Sequence, residues 1–464
     1  MAAGAVAGVG MRMSEHQSAE QGNIASWRDF VEARATISRQ DVAELEGHLR
    51  DQIDDLAAAG LSDDEAFLIA VKRMGRLDEL SREYAREHSD RLWKQLVVAD
   101  DEPGASTPVR WLALGLAVAA GLAIQVPRLF GVDLLVEDSS AFYLRNVPVL
   151  VLLFPAVYFL TRRQVSRASV VTVTAAFAVI TLVINLWPFA PFGDTELIAT
   201  AHSAVALWLV MGLGYVGGRW RSARARMDFI RFTGEWVVYM VLLAIGGGAL
   251  IALTFGVFGA IGVFPGEVIA TWVIPSGFAG AVMIAAWLVE AKQSVIENIA
   301  PVLTKVFTPL VTALLLVLIV AGFVQGSSID SGRDLLIICD VVLLVVVGLL
   351  LYALSARPAD APAGWFDRMQ FVMMVASIAI DIFVLIAMLG RIGEFGLSAN
   401  KLASLGVNII LLANLAGASW LQLGFLRHRT RTGRLERWQT SFVPVYLGWA
   451  LFAVLVIPPL FGFV

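Results

Sequence analysis

The sequence predicts an all-α, polytopic helical membrane protein of about eleven transmembrane helices, preceded by a small cytosolic helical bundle, and three observations carry that reading. The 464 residues are 58% hydrophobic and 16% charged, with a mean hydropathy of +0.73, where soluble chains carry roughly 25% charged residues. About eleven apolar runs are long enough to cross roughly 30 Å of hydrocarbon, which takes a helix of about 20 residues. If these runs are read as spans, 18 of the 35 Lys and Arg side chains fall in alternate loops and 5 in the intervening ones. Short loops rich in Lys and Arg stay on the cytosolic side, because carrying their charge across the bilayer during insertion is unfavourable.

Residues 1–25 read as a disordered tail. Met1 to Gly10 are small and apolar, without the basic flank of a signal peptide and too short to span, so Met11 or Met13 is the expected initiator. Residues 26–98 read as the cytosolic bundle. Ser38 followed by Asp41 opens a helix whose apolar positions Val42, Leu45, Leu49, Ile53 and Leu56 recur at three- and four-residue spacing until Gly60. Ser62 with Glu65 caps the next helix, which turns Phe67, Ala70, Val71 and Met74 inward and stops at Gly75. A leading helix around Trp27, Phe30 and Val31 and a last one with Leu77, Leu80 and Tyr84 complete the bundle, and residues 99–108, with Gly104 and two prolines, form a linker.

Residues 109–464 form the transmembrane domain, with expected spans at 109–130, 146–161, 169–189, 197–217, 236–257, 268–289, 304–324, 335–353, 371–389, 402–424 and 440–460. An odd number of spans puts the N-terminal bundle in the cytoplasm and Val464 outside the bacterial cytoplasmic membrane. The Arg-rich loops at 162–167, 219–231 and 427–437 then face the cytosol, and the segment 290–305 lies along the inner interface as a short amphipathic helix.

The net charge of −4 hides two unlike parts: residues 1–109 sum to −9 and the remainder to +5. An acidic head argues against direct nucleic-acid binding, which needs a basic face to displace counterions. Cys339 is the sole cysteine, so an intramolecular disulfide and a Cys-based metal site are excluded. There is no His-Glu-x-x-His, no phosphate-binding Gly-x-x-x-x-Gly-Lys-Ser/Thr and no Gly-x-Ser-x-Gly, so the chain is expected to be neither an enzyme nor a cofactor carrier. Glu44, His48 and Asp51 share a helix face, which among so many acids reads as solvated surface.

Polar groups inside spans are the candidate functional residues. Asp381 sits at the middle of the ninth span, where an ionised carboxylate costs about 3 kcal/mol on insertion scales, and Ser377 lies one turn away. Asp340 is near the outer end of the eighth span, within reach of Arg333. His202 in the fourth span and Asn185 in the third, with Thr181 a turn before it, read as interhelical hydrogen-bond formers. Ser404, Asn408, Asn414, Ser419 and Gln422 give the tenth span a face that must look inward. Gly246, Gly247, Gly248, Gly256, Gly259 and Gly262 in and after the fifth span permit close packing or a broken helix.

The run Asp41-Val-Ala-Glu-Leu-Glu-Gly-His-Leu-Arg, followed by Gly60-Leu-Ser-Asp-Asp-Glu-Ala-Phe and Met74-Gly-Arg-Leu-Asp-Glu-Leu, resembles the bacterial permease-prefix domain and the related HAAS signalling domain. The resemblance implies a regulatory appendage to a membrane body, with a PadR-like regulator as a candidate protein partner beside the lipid bilayer. The segment Glu297-Asn-Ile-Ala-Pro-Val-Leu-Thr-Lys-Val-Phe-Thr-Pro-Leu is similar to a family of many-span bacterial membrane proteins of unknown function. A signalling or regulatory membrane protein is therefore expected, with a secondary transporter coupled through Asp381 as the alternative. The acidic prefix would dock on Arg219, Arg221, Arg224, Arg226, Arg427, Arg429 and Arg431, or on a basic partner.

Overall fold

The structure is a computed structural model that describes residues 39–58, 61, 66–67, 70, 107–133, 136–291, 299–325, 333–357, 361–430 and 432–464. The chain separates into two compact units, Met1–Pro103 and Gly104–Val464.

In the first unit, α1 (Arg39–Ala58) turns Leu49, Ile53 and Leu56 onto Ala66 and Ala70. These are three positions of the apolar stripe expected from its spacing; the side chains of Val42 and Leu45 lie outside the described residues. His48 and Asp51 are exposed on the opposite side. The leading and last helices of the bundle, and the Ser62 cap, lie outside the described residues.

The described part of the second unit is helical without strands. Its elements are α2 (Thr107–Ala123), α3 (Glu137–Arg162), α4 (Arg167–Leu186), α5 (Asp194–Tyr215), α6 (Ala223–Ala260), α7 (Ile274–Ala291), α8 (Ile299–Gln325), α9 (Arg333–Ser355), α10 (Trp365–Phe395), α11 (Ala399–Leu426), α12 (Thr432–Ser441) and α13 (Val443–Leu455). Among the described residues, eleven helices are long and apolar enough to cross a membrane, α12 and α13 counting as one. Caps fall where short polar side chains precede apolar runs. Ser166 accepts from the Ser169 amide and Ser222 from the Ala225 amide, each satisfying a free N–H of the first turn.

Several boundaries differ from the sequence reading, each for a physical reason. The fifth span belongs to a 38-residue helix, α6, so Arg224, Arg226 and Arg231 lie on helix and not in a loop. Its glycines do not mark close packing: a side chain at Gly246, Gly247, Gly248, Gly256 or Gly259 would meet nothing within 4 Å, and the helix runs through them unbroken. The last span is interrupted at Phe442 and Val456, where prolines at 444, 458 and 459 limit continuation. The sixth begins with a π-helical turn, Ile269–Val273, pinned by Gln125 Nε2, which donates to the Thr271 carbonyl at 3.1 Å and to Ser276 Oγ at 2.9 Å. Of the proposed interfacial segment at 290–305, residues 292–298 lie outside the described residues, and α8 already begins at Ile299.

Two main cores hold the helices. One gathers residues of α2, α3, α4, α5, α7 and α13 around the start of α6, with Phe159, Phe229, Phe232 and Trp208 in ring contact. The other gathers α8, α9, α10, α11 and α12. A smaller cluster of Ile198, Ala399, Ala403, Ala453 and Ile457 joins α5, α11 and α13. The second core carries the candidate site.

Candidate functional site

α10 packs against α11, α8 and α9. Its buried face runs Gln370, Met373, Met374, Ser377, Ile380, Asp381, Val384 and Met388, recurring about once per helical turn, as a helix with one inward stripe requires. Asp381 is fully buried, and neither of its carboxylate oxygens has a hydrogen-bond partner among the described residues. Asp340, on α9, lies within electrostatic range of it. Asn408, on α11, is also fully buried. Its amide donates to Asp340 Oδ1 at 2.9 Å and to the Ser404 carbonyl at 3.0 Å, while its own Oδ1 is left without a donor.

The cluster is thus rich in acceptors. Two carboxylates and an amide oxygen meet few donors, and an unpartnered acceptor in a dry interior is costly. A proton or a small cation is the species that removes this cost. Ser377 does not contribute a donor: its hydroxyl is spent on the Met373 carbonyl at 2.7 Å, one turn back on the same helix. Asp340 finds a donor on α11 in Asn408, and the side chain of Arg333, the partner suggested by sequence, lies outside the described residues. Thr308 and Thr312 on α8 are also buried, and the Thr312 hydroxyl donates to the Thr308 carbonyl at 2.6 Å within the helix.

The remaining sequence candidates lie elsewhere. Asn414 belongs to a second node, where its side-chain NH₂ donates to Gln439 Oε1 and to the Tyr446 hydroxyl, while its backbone carbonyl accepts from Trp438 Nε1 at 3.1 Å. This node ties α11 to α12 and α13. Asn185 exchanges two hydrogen bonds with buried Asn146, at 2.9 and 2.8 Å, clasping α4 to α3. His202 Nδ1 bonds the Ile198 carbonyl at 2.8 Å within α5, so the expected interhelical bond is replaced by a local one. Buried Glu196 pairs with Arg145 at 2.9 Å and accepts from the Phe192 amide at 2.6 Å. Asn146 and Glu196 are inconspicuous in the sequence, because each acquires meaning through a partner on another helix.

Of the arginines offered as a docking surface, Arg221, Arg224, Arg427 and Arg429 are exposed. Arg219 is exposed too, although its Nε is used locally on the Val216 carbonyl. Arg226 is structural: its guanidinium donates to the Thr440 and Trp220 carbonyls and joins the start of α6 to α12. Arg431 lies outside the described residues. No family model, curated protein or solved structure matches the chain.

Proposed function

We propose that this multi-pass membrane protein is a permease-like secondary transporter in which Asp381, assisted by Asp340 and Asn408, takes up and releases a proton or monovalent cation. The observation that supports this is a fully buried carboxylate at mid-helix with no donor to either oxygen among the described residues and a second carboxylate nearby. A carboxylate retained for packing would be expected to have found a hydrogen-bond partner. Intramembrane carboxylates in such settings mark ion and proton pathways. Thermal stability of the purified protein, followed against pH and against Na⁺ and K⁺, tests the proposal. The wild type should respond to at least one of these variables and Asp381→Asn should not; superimposable curves would remove Asp381 as the coupling group.

A second reading, regulation through the prefix, is favoured by the charge of −9 on residues 1–109 and by the resemblance to permease-prefix domains. In this reading the prefix sits in the cytosol and engages exposed Arg221, Arg224, Arg427 and Arg429 or a basic partner. Its contact weakens with salt, since screening sets in over about 8 Å at physiological ionic strength. Binding of the isolated prefix to the membrane unit at low and high salt tests it, and absence of binding in both buffers refutes docking on this body.

A further inference from the structure

The second core also borders an open cavity of about 520 Å³ at the ends of α8 to α12, on the side where Ala356 and Arg357 leave α9 and Ala361 and Pro362 lead into α10. We propose that this cavity binds a small organic monocarboxylate with an apolar body and a second hydrogen-bonding group at its far end. The volume lies within the roughly 300–1,000 Å³ of small-molecule sites. Leu350, Leu354, Phe366 and Leu435 supply apolar walls.

Its polar groups are few and differ in what they leave free. Gln370 is 6% exposed and lines the cavity, yet its amide has no hydrogen-bond partner among the described residues. Gln422, 2% exposed, spends its NH₂ on the Asp367 carbonyl at 3.2 Å and leaves its oxygen open to the cavity. Arg357 is already committed: it pairs with Asp367, donates to the carbonyls of Ala361 and Pro362, and stacks over the Phe425 ring. Lys305 is exposed on the lining and its ammonium has no partner among the described residues. With Arg357 and Asp367 cancelling, the described lining residues carry a single uncompensated positive charge, Lys305. Two amides at depth and one ammonium at the rim match an anionic head outside and a hydroxyl or amide inside, with apolar surface between.

The inference deepens the transporter reading. Gln370 lies on the same buried stripe of α10 as Asp381, 11 residues or about 16 Å along the axis. The cavity therefore opens at one end of the stripe whose middle holds the coupling group.

Equilibrium binding to the full chain in neutral detergent, with 4-hydroxyphenylacetate, phenylacetate and tyramine as probes, tests it. These share one aromatic body and differ in charge and in the far hydroxyl. 4-Hydroxyphenylacetate should bind saturably, phenylacetate about tenfold more weakly for loss of one buried hydrogen bond, and tyramine more weakly still. Gln370→Leu should erase the advantage of the hydroxylated acid, and Lys305→Gln, on an exposed residue, should erase the preference for acid over amine. No saturable binding of the acid to wild type, equal binding of acid and amine as expected of a cavity that only holds acyl chains, or unchanged binding in both variants would overturn the proposal. Asp381→Asn separates it from the coupling reading: probe binding kept while the cation or pH response is lost supports both. Probe binding kept with an unchanged response overturns only the role of Asp381.

Discussion

A buried carboxylate can be held as an anion by donors, or it can be relieved of its charge, and Glu196 and Asp381 stand for the two cases. Glu196 is held by Arg145 and the Phe192 amide, so Glu196→Ala strands a largely buried guanidinium and should lower stability by about 3 kcal/mol, read as a fall in the unfolding midpoint. Asp381 has no such donors, so replacing it with an uncharged side chain of the same shape removes little. Asp381→Asn should keep the unfolding midpoint within a few degrees of wild type while abolishing the response to pH or cation. Asp381 was legible in the sequence because any carboxylate inside an apolar run is conspicuous. Glu196 was not, since it reads as one more acid beside a loop until the fold brings Arg145 to it.

At the scale of elements, small residues have opposite meanings on different helices. On α11, a side chain at Gly406 would overlap the Trp449 ring, and one at Gly417 the Trp438 ring. Each glycine is the notch that lets an indole from α12 or α13 lie against the helix backbone. Gly417→Ala should therefore destabilise by about 1–3 kcal/mol through overpacking. On α6, Gly247→Ala meets open space and should be neutral or stabilising by up to about 1 kcal/mol, because alanine favours helix. Parallel thermal denaturation of the two variants checks the contrast. The sequence predicted helix at both places, but it ranked the glycine run of α6 as the packing feature and passed over the isolated glycines of α11. Clustering is visible in a sequence, whereas a ring arriving from residue 438 or 449 is not. The tenth span was read more successfully: its polar face is buried as expected, because several amides on one stripe admit no other placement.

For the whole molecule, hydropathy made the number of spans legible, and charge asymmetry supplies an expected orientation. Reporter fusions at Gly218 and Ala363 should be active on the cytosolic side and a fusion at Val464 outside; a cytosolic Val464 would contradict the orientation. What hydropathy could not show is that the spans sort into two cores, because division depends on which apolar faces meet. It also could not show how unequal the spans are. α6 rises about 57 Å along its axis, nearly twice the hydrocarbon thickness, and the most apolar stretch along it contains no buried residue. Lipid is then the main neighbour of that stretch, and acyl-chain length becomes a variable for the protein. In thin bilayers the helix must lean or gather lipid around itself, and in thicker ones it can stand upright. Reconstitution across a series of acyl-chain lengths should move α6 more than the helices clasped at Asn146–Asn185 or Arg145–Glu196, which makes it the part of the protein most responsive to membrane thickness.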